Sequence, residues 1–233
     1  MKLLTIDTST QTSSFALSDG ENIISEFVMT PGKAMTSTII DCIDFVLRNA
    51  GLSVNNLDGF GIAVGPGSFT GLRVGIATVK GLAMATGKPV AGFSSLAMLA
   101  MNIPWGLHPI CPMFDARKKE VYAGLYDCKG LPNPILPDSV ASPTSFLDRI
   151  TGPAIFVGEG AIKYRELISG RLGDRAFFAP PSADLPRASA GAVLAASALV
   201  KGDFILVEQL IPAYIRSSEA ELALKERATH NSL

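Results

Sequence analysis

The chain has 233 residues, 48% of them hydrophobic and only 18% charged, with a mean hydropathy of +0.33. These figures exclude intrinsic disorder, suit a core divided between two lobes, and leave apolar surface for a partner. Twenty basic against twenty-one acidic residues give a net charge of −1, which argues against a protein that grips nucleic acid unaided.

Lys2 to Thr8 reads as a buried strand. Ser13 to Ser18 is the next, Asp19-Gly20 is a hairpin turn signal, and Ile23 to Met29 makes a third strand. Thr36 to Ala50 is the clearest helix, with Ile39, Ile43, Val46 and Ala50 on one stripe. Thr38 with Asp41 resembles a capping box, Asp44 and Arg48 pair at i,i+4, and Gly51 is placed for a C′ stop. Phe60 to Val64 is a fourth strand. A glycine-rich turn then leads into a second helix, from about Thr70 to Thr86. Val90 to Phe93 is a fifth strand, succeeded by a short helix from Ser95 to Met101.

Asn102 to Pro109, with two prolines and a glycine, reads as a link between halves. The second half partly repeats the first. Ile6-Asp7 and Phe114-Asp115 both end an apolar strand in an acid, and a second Asp comes later at Asp19 and at Asp127. This parallel points to duplication of one α/β lobe. Asn133 to Pro143 is proline-rich and loop-like. Ile155 to Val157 is a strand that ends in Gly158-Glu159-Gly160, and a helix runs from Ala161 to Ile168. Ser189 to Val200 is an alanine-rich buried helix. Ser217 to Arg227 is a charged terminal helix with Ser218 and Glu221 as a capping box. The longest apolar run, Ala188 to Val200, stops at Lys201 and falls short of the ~18 residues of a membrane span. Cys42, Cys111 and Cys128 have no CxxC spacing, and Met1-Lys2-Leu3-Leu4 enters Thr5 and Asp7 without an h-region. The expectation is a reducing, cytoplasmic compartment.

The strongest local signal is Gly65-Pro66-Gly67-Ser68-Phe69-Thr70-Gly71-Leu72-Arg73-Val74-Gly75, between a strand and a helix. Such a junction is an anion site or, more plainly, a tight turn that needs glycine for its dihedrals. It is no Walker loop, since no GK[ST] closes it, and Phe69 and Thr70 would crowd a dinucleotide pyrophosphate. In the adjoining helix Gly71, Gly75, Ala77, Gly81 and Ala85 are small, and only Arg73 and Lys80 are charged. A helix so nearly uncharged is buried between layers or docked on another subunit. Asp7 stands where actin-like and sugar-kinase-like ATPases place a metal-associated acid in D-x-G-x-[ST]. Here Asp7-Thr8-Ser9-Thr10 puts Ser9 in the glycine's place, which obstructs close approach of a phosphate. Asp115 and Arg117 are the second-lobe counterpart, or a simple surface pair. The two histidines, His108 and His230, form no HxxxH or HExxH pair. The tight basic cluster is Arg117-Lys118-Lys119.

Leu4-Thr5-Ile6-Asp7-Thr8-Ser9-Thr10, the Gly65–Gly75 motif with Lys80-Gly81-Leu82-Ala83, Asp115-Ala116-Arg117 with Glu120-Val121-Tyr122, and Pro212-Ala213-Tyr214-Ile215-Arg216 together resemble the TsaB (YeaZ) family, from residue 1 to about 216. The resemblance implies an actin-like (ASKHA, ribonuclease H-like) α/β fold with mixed sheets in two duplicated lobes. The lobes would span 1–101, which carries the partner-binding helices, and a smaller 102–216, with a variable tail over 217–233. It implies a role in bacterial threonylcarbamoyladenosine synthesis on tRNA. In that system the paralogue TsaD holds the metal and transfers the threonylcarbamoyl group, and a small ATPase, TsaE, cooperates. The implied part for this chain is a non-catalytic activating subunit with no cofactor of its own, ATP and divalent metal acting in the partners. It would form a homodimer when alone and meet tRNA only within the complex. One departure is Ala34-Met35-Thr36-Ser37, where relatives carry a polar His-Ser-Glu-like stretch.

On that resemblance Ile39, Ile43, Val46, Arg73, Ile76, Ala77 and Lys80 are expected at the partner interface. Asp7, Thr8, Ser9, Gly65, Pro66, Gly67, Ser68, Gly71, Arg73, Asp115 and Arg117 are expected to form a vestigial nucleotide site or a structural turn. The competing expectation is an ATP-dependent phosphotransferase of the same superfamily. A protease is a further alternative, which lacks a nucleophile–base pair in the sequence.

Overall fold

Along β1 (Lys2–Asp7) successive side chains enter two different apolar layers: Leu4 and Ile6 join one, Leu3 the other. The computed structural model describes residues 1–30 and 35–215, and it builds a mixed sheet around this strand. β2 (Ser13–Asp19) and β3 (Asn22–Met29) run antiparallel on one side, and β4 (Gly59–Gly65) and β5 (Val90–Ser94) lie parallel on the other, in the order β3-β2-β1-β4-β5. The crossovers to β4 and β5 are α1 (Met35–Asn49) and α2 (Phe69–Thr86), side by side on one face of the sheet. α1 stops as its sequence requires. Gly51 adopts a left-handed φ of 65°, and the amides of Gly51 and Leu52 donate to the carbonyls of Arg48 and Leu47.

A second five-stranded sheet repeats this plan. Its strands are β6 (Ile110–Asp115), β7 (Val121–Asp127), β8 (Asn133–Ala141), β9 (Ala154–Val157) and β10 (Ala176–Phe178), in the order β10-β9-β6-β7-β8. β6 therefore occupies the centre as β1 does in the first sheet, and Asp115 ends it as Asp7 ends β1. The parallel between the two halves of the sequence is one between equivalent strands.

Three expectations need correction. The segment expected as a proline-rich loop over 133–143 is the edge strand β8 leading into α4 (Pro143–Leu147), and Pro134 and Pro137 are tolerated in the strand because an edge leaves amides without a ladder partner. The single helix expected over 161–168 is two, α5 (Glu159–Lys163) and α6 (Arg165–Leu172), broken at Tyr164 with φ −107° and ψ 20°. The second lobe does not run unbroken to 216. α7 (Ala188–Val200) returns to the first lobe and covers the face of its sheet opposite α1 and α2, where Ala195 joins Leu3, Ala63, Ala91 and Phe93. Ala34 and the side chains over 35–38, Thr38 of the expected capping box among them, Arg216 and the terminal helix expected over 217–227 lie outside the described residues. Among the described residues no helix is long and apolar enough to cross a membrane.

α3 (Ser95–Ala100) bridges the lobes. Ser94 caps it by accepting the Ala97 amide at 3.1 Å and donates to Asp138 of β8 at 2.5 Å, while Tyr126 of β7 donates to the other oxygen of the same carboxylate. Burial raises the Asp138 pKa and the two hydroxyl donors oppose it. The lobes are thus tied by a side-chain network as well as by the chain.

Candidate functional site

The sequence motifs meet in a cleft of about 660 Å³ between the lobes. One wall is made by Ser9, Thr10 and Gln11 after β1 and by Pro66 to Arg73 at the start of α2. The other is made by Phe114 to Lys118, Tyr122 and Glu159, and Ala213 to Ile215 close one end.

The first wall is held together by backbone approach. A Cβ at Gly67 would lie 2.1 Å from the Ser9 carbonyl oxygen, and one at Gly71 would lie 2.1 Å from that of Thr8. Only glycine lets these chains touch. The Ser68 amide donates to the Ser9 carbonyl at 2.6 Å, and the Thr8 hydroxyl donates to the Gly71 carbonyl at 2.8 Å. The Gly65–Pro66 peptide is cis. Ser68 caps α2 by accepting the Gly71 amide at 3.3 Å. The loop after β1 and the glycine-rich turn are therefore bonded to each other.

Asp7 lies behind this loop, fully buried. Its Oδ1 accepts the Ser9 amide at 3.0 Å. Burial pushes its carboxyl up to about 6, against the lowering pull of the Ser9 hydroxyl and of the Ser9 and Thr8 amides. The Ser9 hydroxyl is also buried.

Arg73 is expected at the partner interface, yet its guanidinium lies 3.8 Å from the centre of the Phe69 ring and its Nε donates to the Tyr214 hydroxyl at 2.8 Å. Tyr214 stacks on Phe69 with ring centres 5.1 Å apart, and the Ala213 amide donates to Val64 at 2.8 Å. The motif around Pro212–Ile215 is thus a strap across the mouth of the first-lobe motif. Tyr214→Phe keeps the stack and loses the Arg73 bond. It is expected to cost about 0.5–1.5 kcal/mol, seen as a small fall in the urea midpoint, and Tyr214→Ala is expected to cost more.

On the second wall Asp115 accepts the Arg117 amide at 3.1 Å and pairs with Lys163 at 2.7 Å. The expected Asp115–Arg117 side-chain pair is replaced by these contacts. Glu159, to which no sequence motif assigns a role, sits beside them. Burial raises its pKa and the Asp115 charge adds to the rise, while a backbone hydrogen bond from Asp115 and the charges of Arg117 and Lys163 oppose it. The β6–β7 hairpin closes with the Glu120 amide donating to the Arg117 carbonyl at 2.8 Å. Arg117, Lys118 and Lys119 all have left-handed φ, at 63°, 49° and 62°. A tight turn of this primed kind ordinarily uses Asn-Gly, because a Cβ is disfavoured there by about 1–2 kcal/mol per residue.

A second surface lies on α1 and α2. Ile39, Ile43, Val46 and Ile76, expected at the interface, are instead buried in the first-lobe core with Leu4, Ile6, Phe15, Phe60 and Ile62. Burial of each such side chain stabilises by roughly 1.5–3 kcal/mol, so they stay inside. Ala77 is exposed and Lys80 half-exposed on the outer side of α2. Among the described residues the large apolar side chains left outside are Ile40 and Phe45 on α1 and, on α2, Met84, 75% exposed, with Phe69 at its cleft end.

A first lobe and a second built on one plan, with the acid-ended central strands facing a shared cleft, define a protein of the actin-like class. The ROK hexokinase of Thermus thermophilus has the same fold at a TM-score of 0.51, with 13% identity, over 87% of this chain and 100% of that one. The family model described as TsaD, tRNA N6-adenosine threonylcarbamoyltransferase, matches residues 29–224. The tRNA threonylcarbamoyladenosine biosynthesis protein TsaB of Bacillus subtilis is 32% identical over 95% of this chain and 96% of its own. A solved structure from Pseudomonas aeruginosa, described as an uncharacterized protein with similarity to peptidase YEAZ, superposes with a TM-score of 0.79 at 29% identity. It covers 92% of this chain and 99% of that one. The chain belongs to the TsaB (YeaZ) family.

Proposed function

We propose that this protein acts in the formation of threonylcarbamoyladenosine on tRNA, as an accessory subunit that binds and activates a TsaD-like catalytic paralogue. The observation that carries this reading is the outer side of α1 and α2. There Met84 stands exposed with the small residues Ala77, Gly81 and Ala85 of α2, and Ile40 and Phe45 stand exposed on the neighbouring α1. Small residues let a partner helix approach closely and large apolar ones supply the area to bury. The same surface would join two copies of this chain when the paralogue is absent.

In this reading the chain needs no cofactor of its own, and ATP and divalent metal act in the catalytic paralogue and in a TsaE-like ATPase. The cleft supports that division. The Ser68 amide and the Gly67 and Gly71 positions, which in an open phosphate loop would face a ligand, are engaged by Thr8 and Ser9. An omission assay tests the reading. TsaD-like, TsaE-like and carbamoyl-adenylate-forming proteins, tRNA, threonine, bicarbonate and ATP are combined with and without this chain. Modified adenosine is expected only when the chain is present. Equal modification without it would reject the accessory role.

A further inference from the structure

We propose that the β6–β7 hairpin tip, Arg117-Lys118-Lys119, is an RNA contact that engages consecutive backbone phosphates at the rim of the inter-lobe cleft. This inference rests on the accessory-subunit reading for the identity of its RNA, a tRNA.

Three observations carry it. The first is a local conflict between sequence and structure. All three residues hold left-handed φ values, in a turn that asparagine and glycine serve best. Unfavourable backbone that persists where a cheaper residue would fit points to a use for the side chains. The second is charge. In a chain of net charge −1 this tip presents three successive exposed cations, and such a cluster matches the repeat of a phosphodiester backbone. The third is position. Arg117 and Lys118 line the cleft, with Arg73 on the opposite wall.

The same geometry favours a polymer passing along the rim over a free nucleotide inside. On the first-lobe wall the amide and carbonyl groups of the two loops bond each other, while Arg117 and Lys118 stand exposed on the opposite wall. Two or three phosphate contacts give weak binding by themselves. They become effective when a second subunit holds the same RNA and converts this contact into an intramolecular one. That accords with the lack of a basic excess in the chain as a whole.

The test uses a fluorescent tRNA transcript and the assembled complex of this chain with its TsaD-like paralogue. Anisotropy is read at several salt concentrations between 50 and 200 mM, a range chosen on the order of that over which phosphate contacts are lost. Arg117→Ala and the double variant Lys118→Asn, Lys119→Gly are compared with wild type, and Lys201→Ala, on an exposed site after α7, is the control. The double variant is expected to bind about tenfold more weakly and to lower the slope of log affinity against log salt by roughly 2. Its urea midpoint is expected to rise, because Asn-Gly suits the turn.

A raised midpoint with unchanged tRNA affinity and slope would overturn the proposal, leaving the tip a structural turn. Calorimetry with ATP on the isolated chain supplies another arm. Binding that the double variant abolishes would reassign the tip to a free nucleotide and also overturn it. If the wild-type chain and the paralogue do not associate, the accessory-subunit reading fails by itself. The salt slope of the isolated chain on the same tRNA, wild type against double variant, then decides the hairpin.

Discussion

Ala77→Arg is expected to abolish association with the catalytic paralogue while leaving the fold intact. Ala77 is exposed on α2, so in the free chain the substitution is an ordinary surface change, within about 0.5 kcal/mol. In the proposed complex the same position would lie against a partner helix. Arginine there brings bulk and a charge, and the flanking residues on α2, Arg73 and Lys80, are themselves basic and offer no neutralisation. Aspartate would be less informative, because Lys80 lies one turn on. Burial of an unpaired charge costs about 3–5 kcal/mol, more than a hundredfold in Kd. Size-exclusion chromatography with light scattering, then calorimetric titration, measures the loss. Val193→Arg, on the exposed side of α7, serves as the control and is expected to bind normally. Wild-type affinity in Ala77→Arg would remove α2 from the interface. Ile76→Arg cannot make this distinction, since Ile76 is buried in the core and its replacement would unfold the lobe.

Asp7→Asn is expected to stabilise the protein at neutral pH. The fully buried carboxyl titrates near 6 in the fold against 3.8 in the unfolded chain. Between those values the folded state holds a proton that the unfolded state has released, so stability falls as pH rises from about 4 through 6. Above that range the buried charge costs on the order of 3 kcal/mol relative to acid conditions. Asparagine keeps the oxygen that accepts the Ser9 amide and removes the charge. Urea unfolding at pH 4 and at pH 8 checks this. A wild type less stable at pH 8 is expected, with a variant that gains most there and little at pH 4. A gain independent of pH would show that the Asp7 carboxyl titrates alike in the folded and the unfolded chain. Loss of activity in a stabilised Asp7→Asn would mark the residue as functional rather than vestigial.

Much of the first lobe is legible in the sequence because its strands are short apolar runs bounded by turn signals and its helices carry full stop signals, as Gly51 and Gly87 illustrate. β8 is not, since Pro134 and Pro137 read as loop until the topology places them on an edge. The exposed residues of the proposed docking surface are not legible in the sequence for a general reason. The apolar stripe that identifies α1, Ile39, Ile43 and Val46, is the stripe that faces the lobe's own core. Periodicity reports that face, and Ile40, Phe45 and Met84 stand outside it. In the cleft the individual motifs are visible in sequence, but their convergence is not. Arg73 and Tyr214 are 141 residues apart, and nothing local in Gly158-Glu159-Gly160 announces that Glu159 joins Arg117 in the cleft wall.

The return of α7 to the first lobe bears on how the protein is made. During synthesis the five strands and two helices of that lobe leave the ribosome well before residues 188–200. Until then one face of its sheet, with Leu3, Ala63, Ala91 and Phe93, has no cover. The second lobe, whose strands and helices lie between 110 and 178, is complete in sequence before the first can close. Order of emergence and order of completion are therefore reversed. A nascent chain halted before α7 presents a bare apolar sheet to chaperones and proteases, and ribosome-bound fragments ending on either side of residues 188–200 would differ sharply in protease resistance of the first lobe.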